Sequence, residues 1–165
     1  MVKKITGTSI TWTAIDEMPP EALAGIENLV CGATIKPGVP FIKDNNVRSA
    51  FLLEPGVPGC PRLFVKWFKK PAVVQRLRHL FVPSKALEEW RNLRALEQRG
   101  LPCPRPLAFF EKRTCGMLET ACLVIQALED AQPLNEFNAR CALPAPQRFE
   151  LTRQLARLTA DMHAA

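Results

Sequence analysis

The alternation of apolar and polar side chains predicts an antiparallel β-sheet in the first two-thirds of the chain. The alternating segments are short, and residues typical of turns separate them. Strands are predicted at residues 10–15, 39–44, 47–54, 61–71, 107–111 and 118–128. Asn45 and Asn46 lie between the second and third of these, and asparagine tolerates the positive φ of a tight hairpin turn. The pattern therefore predicts a hairpin that turns at these two residues.

Apolar residues at helical spacing predict where the helices lie. Helices are predicted at residues 19–30, 85–99 and 147–165. The second follows Ser84, a preferred N-cap residue, and stops before Gly100, a preferred residue after a helix end. The segment 72–82 fits either a short helix or irregular structure. Strands and helices together predict an α+β fold.

Two adjacent glutamates on the second helix fall on different sides of it. The apolar side carries Leu87, Trp90, Leu93 and Leu96. At about 100° per residue, Glu89 falls between the last two of these leucines, whereas Glu88 falls among polar residues. We therefore expect Glu89 to point toward the core and Glu88 to face solvent.

The strand at 61–71 carries a lysine among apolar side chains. Alternation places Leu63, Val65 and Trp67 on one face and Phe64, Lys66 and Phe68 on the other. Burial of an ammonium group costs several kcal/mol unless the group is paired. Glu89 is a suitable partner for Lys66. A purely structural ion pair, or a lysine that reaches solvent from an edge strand, are alternative interpretations.

Composition and charge narrow the class of protein. The 165 residues are 47% hydrophobic and 23% charged, as expected of one domain or one lobe of a larger protein. No apolar run is long enough to span a bilayer, and the residues at the start of the sequence do not predict a secretory signal. The six cysteines form no C-x-x-C pair. We therefore expect reduced thiols in a cytoplasmic protein and no metal site.

The net charge of +6 is concentrated in one part of the chain. Residues 62–105 contain eleven Lys or Arg and three Glu, a balance of +8. A basic block indicates an anionic partner, such as phosphate, an anionic membrane surface or nucleic acid. The basic residues occupy several faces without stacking aromatic residues between them, which does not favour nucleic acid.

Several segments together resemble the lipopolysaccharide kinase family (Kdo and core-heptose kinases), a bacterial branch of the protein-kinase-like fold. They are LFVKWFKKP, SKALEEWRNLRALEQRGLPCPRPLAFFE, CLVIQALED and LARLTADMHAA. The resemblance implies an antiparallel N-lobe sheet of about five strands with an inward-pointing glutamate helix. It divides the chain into an N-terminal extension at 1–40, a kinase-like N-lobe at 41–128, and a connector with the first C-lobe helix at 129–165.

The resemblance also implies a nucleotide site. Lys66 would bind the α- and β-phosphates of ATP, and Glu89 would orient that lysine. The hinge whose backbone binds adenine would be Gln126, Ala127 and Leu128, with Ile125 or Val124 at the back of the pocket.

The hairpin at 39–54 differs from a kinase phosphate loop because it contains no glycine. Backbone N–H groups around Asn45 and Asn46 are an alternative phosphate ligand, and Lys43 or Arg48 would assist them.

A second difference concerns the chemistry. The sequence ends before any H-x-D catalytic loop and before any D-F-G type metal ligand. Kinases of this type transfer phosphate with Mg²⁺ held by such acids. We therefore expect the Mg²⁺ ligands in a missing part, and no activity from this chain alone.

Two interpretations of function follow. The first is the N-terminal part of an ATP-dependent kinase that phosphorylates a hydroxyl of a lipopolysaccharide inner-core sugar or a similar small acceptor, in the cytoplasm or peripheral to the inner membrane. The second is a non-catalytic kinase-like binding module, in which a partner or an oligomer covers the apolar side of the last helix. Coding sequence beyond residue 165 would favour the first, and a stable complex the second.

Overall fold

The computed structural model describes residues 1–7, 10–32, 41–129, 131, 137 and 143–164. The chain divides into two units by the density of its internal contacts. The first unit comprises Met1–Arg94 and Pro104–Ala127, and the second comprises Ala95–Cys103 and Leu128–Ala165. All of the described strands belong to the first unit.

The first unit is built on one antiparallel sheet of seven strands. The strands are β1 (Val2–Thr6), β2 (Thr11–Ile15), β3 (Phe41–Asp44), β4 (Arg48–Leu53), β5 (Leu63–Phe68), β6 (Pro106–Thr114) and β7 (Met117–Gln126). Their order across the sheet is β1-β2-β6-β7-β5-β4-β3. The sheet of about five strands expected of residues 41–128 corresponds to β3–β7, and β1 and β2 extend the same sheet to seven, because β2 pairs with β6 and β1 pairs with β2.

The described residues form four helices. They are α1 (Pro20–Cys31), α2 (Val73–Arg78), α3 (Lys85–Gln98) and α4 (Ala145–Ala164). Helices α1, α3 and α4 confirm the three predicted helices, and α2 shows that the ambiguous segment is a short helix. α1 begins with Pro20 at its first turn, where proline's missing N–H has no intrahelical acceptor to lose.

Helices pack on both faces of the sheet. On the face that carries Lys66, Trp90 of α3 contacts Phe109 of β6, with ring centroids 5.2 Å apart. On the opposite face, Leu23 and Ala24 of α1 line a small cavity together with Trp12 of β2. Both faces of the sheet therefore carry a helix, as the apolar residues on both faces of β5 predict.

The opposite face forms the more deeply buried side of the core. Trp12 and Phe110 are fully buried there and pack edge to face, with centroids 4.7 Å apart. Leu63 and Val65 of β5 are also fully buried, whereas Phe64, Lys66 and Phe68 on the other face are only half-buried. The Lys66 face is thus partly open to solvent.

The second unit contains helix α4. No residue described in α4 is buried, and Phe149, Leu155 and Met162 are exposed. None of the helices in the described part of the chain is long and apolar enough to cross a lipid bilayer.

Candidate functional site

The strand β5 positions Lys66 in the middle of the sheet. Lys66 lies directly opposite Ala50 of β4 on one side and Leu123 of β7 on the other. Residues directly opposite each other on antiparallel strands share a face, so Lys66 projects beside two small or apolar neighbours.

Helix α3 brings Glu89 to Lys66. The Lys66 Nζ lies 2.7 Å from Glu89 Oε2, a charge-assisted hydrogen bond. Glu88 faces solvent and pairs with Lys85 one turn away on the same helix. The helical spacing thus separates the two glutamates as expected, and the structure brings Lys66 and Glu89 together.

The Lys66–Glu89 pair is less buried than expected. The two side chains keep 32% and 31% of their surface exposed. Water therefore screens the pair, and its attraction lies between that of a surface pair and that of a buried one. Lys66 is thus paired as expected, but its burial among the apolar side chains of the strand is only partial.

Residues at both ends of α3 fix its position. At the start, Ser84 Oγ accepts a hydrogen bond from the Leu87 N–H at 3.2 Å, which confirms Ser84 as the N-cap residue. At the end, Gly100 has φ +70 and its N–H donates to Glu97 C=O, while Leu101 N–H donates to Leu96 C=O. This pair of bonds is a Schellman motif, which requires a residue such as glycine at positive φ.

Glu111 of β6 ties the start of α3 to the sheet. Its Oε1 accepts a hydrogen bond from the Ser84 N–H at 3.1 Å, and Arg113 also donates to its carboxylate. Burial alone would raise the pKa of Glu111, but the hydrogen bonds from Ser84 and Arg113 outweigh it and lower the pKa below its usual value. An ionised Glu111 therefore stabilises the position of the helix that carries Glu89.

A row of cationic residues crosses the Lys66 face. Lys43 of β3 lies opposite Ala50, which lies opposite Lys66. Lys43 and Lys66 are thus two strands apart on one face, about 10 Å between their backbones. Arg48 lies opposite Phe68 and shares the same face. We call Lys43, Arg48 and Lys66 the cationic row.

The hairpin turn has a different geometry from the predicted one. Cys115 is the only non-glycine residue with positive φ in the described part of the chain, so neither Asn45 nor Asn46 adopts the predicted conformation. Instead, Asn45 Oδ1 accepts hydrogen bonds from the N–H groups of Val47 and Arg48, at 3.0 and 2.8 Å. The asparagine side chain shapes the turn as an Asx turn, which needs no positive φ.

The Asx turn also changes what the hairpin can offer to a phosphate. The N–H groups of Val47 and Arg48 already donate to Asn45 Oδ1, and the Asn45 N–H donates to Arg48 C=O. These three backbone donors are satisfied within the turn. The hairpin groups that these bonds do not engage are the Asn46 N–H and the side chains of Lys43 and Arg48, which stay the predicted phosphate ligands.

An apolar row lies next to the cationic row, and of its three members only Ile125 was assigned a role from the sequence. Leu52, Phe64 and Ile125 lie opposite one another on β4, β5 and β7. They share the Lys66 face because Phe64 is two residues from Lys66, about 7 Å along the strand. The same register places Val124 on the opposite face. Of the two residues proposed for the back of the pocket, Ile125 is the one on the Lys66 face.

The predicted hinge follows directly after β7. The N–H groups of Gln126 and Ala127 donate to the carbonyls of Arg105 and Arg62, each at 2.9 Å. Both N–H groups are therefore occupied. Leu128 belongs to the second unit, its side chain is exposed, and no described residue accepts a hydrogen bond from its N–H.

The described residues do not fit a Mg²⁺ site. No group of three or more His, Cys, Asp or Glu side chains among them is placed to hold a metal ion. Asp44 is the carboxylate next to the cationic row, and Lys69 and Ser49 donate to it at 2.6 Å. Those hydrogen bonds lower the pKa of Asp44, first that from Lys69 and then that from Ser49. Asp44 is therefore a structural acid of the hairpin.

Most of the basic block is paired. Among the described residues, at least six of its eleven members form salt bridges with carboxylates, including Arg62, Lys66, Lys69, Arg76, Lys85 and Arg105. These pairs lie at separate places on the protein, so the block forms no continuous cationic surface for a nucleic acid backbone.

Comparison with known proteins gives one match. The model of the Lipopolysaccharide kinase (Kdo/WaaP) family matches residues 63–165. The matched segment begins at the first residue of β5 and includes Lys66, Glu89 and the predicted hinge. No curated protein and no solved structure matches the chain.

Proposed function

The chain belongs to the lipopolysaccharide kinase (Kdo/WaaP) family, and we propose that it forms the nucleotide-binding part of an ATP-dependent kinase of lipopolysaccharide. Membership of the family implies a phosphotransferase of the lipopolysaccharide-kinase type. In the proposed reaction, the γ-phosphate of ATP is transferred to a hydroxyl of an inner-core sugar or a similar small acceptor.

The observation that carries the proposal is the adjacency of the cationic row and the apolar row on one open face. The apolar side chains of Leu52, Phe64 and Ile125 lie one step along the strands from Lys66. A nucleotide has a flat, apolar base and an anionic phosphate chain, so it needs these two surfaces side by side. A purely structural Lys–Glu pair would not require them.

Within this site Lys66 is the phosphate ligand and Glu89 is its positioning residue. The Glu89 carboxylate, 2.7 Å from the Lys66 ammonium group, holds that group in place while about a third of each side chain remains exposed to a ligand. Lys43 and Arg48 supply further positive charge toward the β- and γ-phosphates. They replace the backbone donors that a glycine-rich loop would provide.

We assign adenine recognition to the end of β7. As family membership implies, the hinge Gln126, Ala127 and Leu128 would bind the base; the N–H groups of Gln126 and Ala127 already donate to other carbonyls. Phe64 and Ile125 form the apolar surface on which the ring lies.

Phosphoryl transfer itself needs groups that the described residues do not provide. We propose that groups other than the described residues bind Mg²⁺ and the acceptor hydroxyl, and that this chain alone does not turn over. We further place the kinase in the cytoplasm, with its acceptor at the inner membrane.

The role of Lys66 is tested by nucleotide binding to Lys66→Met. Methionine keeps the apolar stem of the side chain but removes the charge. We expect affinity for ATP, measured by titration calorimetry, to fall by about tenfold or more, since a hydrogen bond to a charged group contributes about 1.5–3 kcal/mol.

Lys4→Met is the matched control for this variant. The strand register runs from Lys4 through Thr13, Phe109 and Leu123, which lies opposite Lys66. Lys4 is therefore on the same face as Lys66, but four strands away. The Lys4→Met variant should leave affinity for ATP unchanged. Equal affinities of Lys66→Met and the unaltered protein would refute the phosphate role of Lys66.

A further inference from the structure

A group of apolar side chains is exposed on the segment that joins β5 to α3. Val73, Val74 and Leu77 of α2 are exposed, and Phe81 beyond the helix is 90% exposed. We call these four residues the α2 apolar surface. Aromatic and branched apolar side chains that cluster on a protein surface mark a place where another molecule or a membrane is bound.

The helical residues of the α2 apolar surface lie on one side of α2. At about 100° per residue, Val73, Val74 and Leu77 fall within an arc of about 100°. The helix ends at Arg78, and in the turns that follow it the Leu80 and Phe81 N–H groups donate to the carbonyls of Leu77 and Arg78. Phe81, the most exposed of the four residues, lies in this turn, three residues after the helix ends.

The adjacent side of the segment lines a groove with cationic residues. The groove has a volume of about 630 Å³, and its walls include Lys69, Lys70, Arg78 and Lys85. Lys69 and Lys85 pair with Asp44 and Glu88. In the part of the chain that the structure describes, Lys70 and Arg78 have no carboxylate partner and are exposed. Two unpaired cations therefore flank the apolar surface.

We propose that the α2 apolar surface, with Lys70 and Arg78 beside it, docks on an anionic lipid bilayer. A short amphipathic helix with apolar residues on one side and Lys or Arg at its border lies in the membrane interface, and the cations meet the lipid phosphates. Each Lys or Arg near an anionic bilayer adds attraction that salt weakens. The side-by-side arrangement of exposed apolar and unpaired cationic residues matches this chemistry.

Docking through α2 would also orient the nucleotide site. The segment begins directly after β5, the strand that carries Lys66. It therefore brings the end of that strand to the bilayer surface, where a lipid-linked acceptor lies. This last point rests on the proposed kinase function, whereas the docking itself does not.

The proposal is tested by flotation of the full chain with lipid vesicles. Vesicles of phosphatidylethanolamine and phosphatidylglycerol supply an anionic surface, and vesicles of phosphatidylethanolamine and phosphatidylcholine supply a neutral one. We expect binding to the anionic vesicles, reduced by salt, and little binding to the neutral ones. The assay needs neither ATP nor acceptor, so its outcome is independent of the kinase proposal.

Two double variants separate the apolar and cationic contributions. Val74→Asp with Phe81→Asp, and Lys70→Glu with Arg78→Glu, should each lower the bound fraction on anionic vesicles by about tenfold or more. Phe149→Asp is the matched control, because Phe149 is an exposed phenylalanine on α4, and it should bind as the unaltered protein does. Thermal unfolding of each variant checks that the fold is retained, and Val74→Ser with Phe81→Ser replaces the first pair if it is not.

Three results would contradict docking of this surface on a bilayer. Absence of binding to anionic vesicles overturns the proposal, and so does binding that both double variants leave unchanged. A dimer in solution that Phe81→Asp converts to a monomer would assign the surface to a second copy of this chain instead.

Discussion

At the scale of single residues, the ion pair between Lys66 and Glu89 is the central feature of the site. About one third of each side chain is exposed, so the pair is intermediate between a fully buried and a fully exposed ion pair. A buried pair loses about 3–5 kcal/mol when one partner is removed, whereas an exposed pair contributes about 0–1 kcal/mol. The pair is therefore held firmly enough to orient the lysine, yet open enough for a ligand to reach it.

Replacement of Glu89 tests this intermediate strength. Glu89→Ala leaves the ammonium group without its carboxylate, and we expect a loss of about 1–2 kcal/mol in the free energy of unfolding. Glu88→Ala removes only a solvent-exposed pair with Lys85, so its loss should stay near or below about 0.5 kcal/mol. Urea denaturation of both variants measures the difference. Equal midpoints would contradict the different positions of the two glutamates.

The sequence correctly assigns these two glutamates to different sides of the helix. It does not correctly predict the backbone conformation of the hairpin asparagines. The position of Glu89 depends on helix periodicity alone, which is fixed by the backbone geometry. The conformation of Asn45 depends on which hydrogen bond its own side chain makes, and asparagine is compatible both with positive φ and with an Asx turn. The prediction of a positive φ was therefore wrong although the turn itself was placed correctly.

At the scale of elements, helix α3 determines where Glu89 lies. Its start is anchored to the sheet through Ser84 and Glu111, and its packing through Trp90 and Phe109. Only the N-cap and the glycine after its end can be found in the sequence, because they are local features. The contact between Glu111 and Ser84 joins residues 27 positions apart, and no local pattern indicates it.

The anchor of α3 should make stability depend on pH. The pKa of Glu111 is lowered in the folded protein, so its contribution is present above the usual carboxyl pKa of 4.5 and is lost as the pH falls through the folded-state value. We expect Glu111→Gln to cost about 1–2 kcal/mol near pH 7, where it removes a hydrogen-bonded carboxylate. It should also weaken the loss of stability on acidification.

Unfolding free energies of the two proteins at about pH 7 and about pH 3 test this prediction. Glu54→Gln is the control, since Glu54 is an exposed glutamate paired only at the surface with Arg62. If the unaltered protein and Glu111→Gln lose the same free energy on acidification, then Glu111 is not the group responsible.

The strand β1 shows why some elements escape sequence analysis. Its residues VKKIT give a weak alternation, with two lysines in succession, and none of them is buried. β1 is an edge strand that is held by its backbone pairing with β2. Charged residues are common on such strands because they discourage further pairing, so an edge strand often lacks an apolar pattern.

At the scale of the whole molecule, the N-terminal residues complete the sheet that carries the site. β2 pairs with β6, and α1 packs on the face opposite Lys66. The sequence indicated a strand and a helix here, but it left open whether they belong to the sheet. That question depends on contacts between distant segments, such as Trp12 with Phe110.

Deletion of residues 1–40 tests how far the first unit depends on this region. Removal of β2 and α1 would expose the buried face around Phe110, and it would take away Trp12 and Ile26, both fully buried. Loss of one buried aromatic side chain costs about 3–5 kcal/mol. Loss of several large core side chains therefore approaches the whole free energy of unfolding of a typical domain. We therefore expect no cooperative thermal transition for residues 41–165.

Deletion of residues 1–7 is the control. It removes only an edge strand without buried residues, and the shortened protein should retain a cooperative thermal transition. A sharp transition of the 41–165 fragment near that of the full chain would instead establish residues 1–40 as a separable extension.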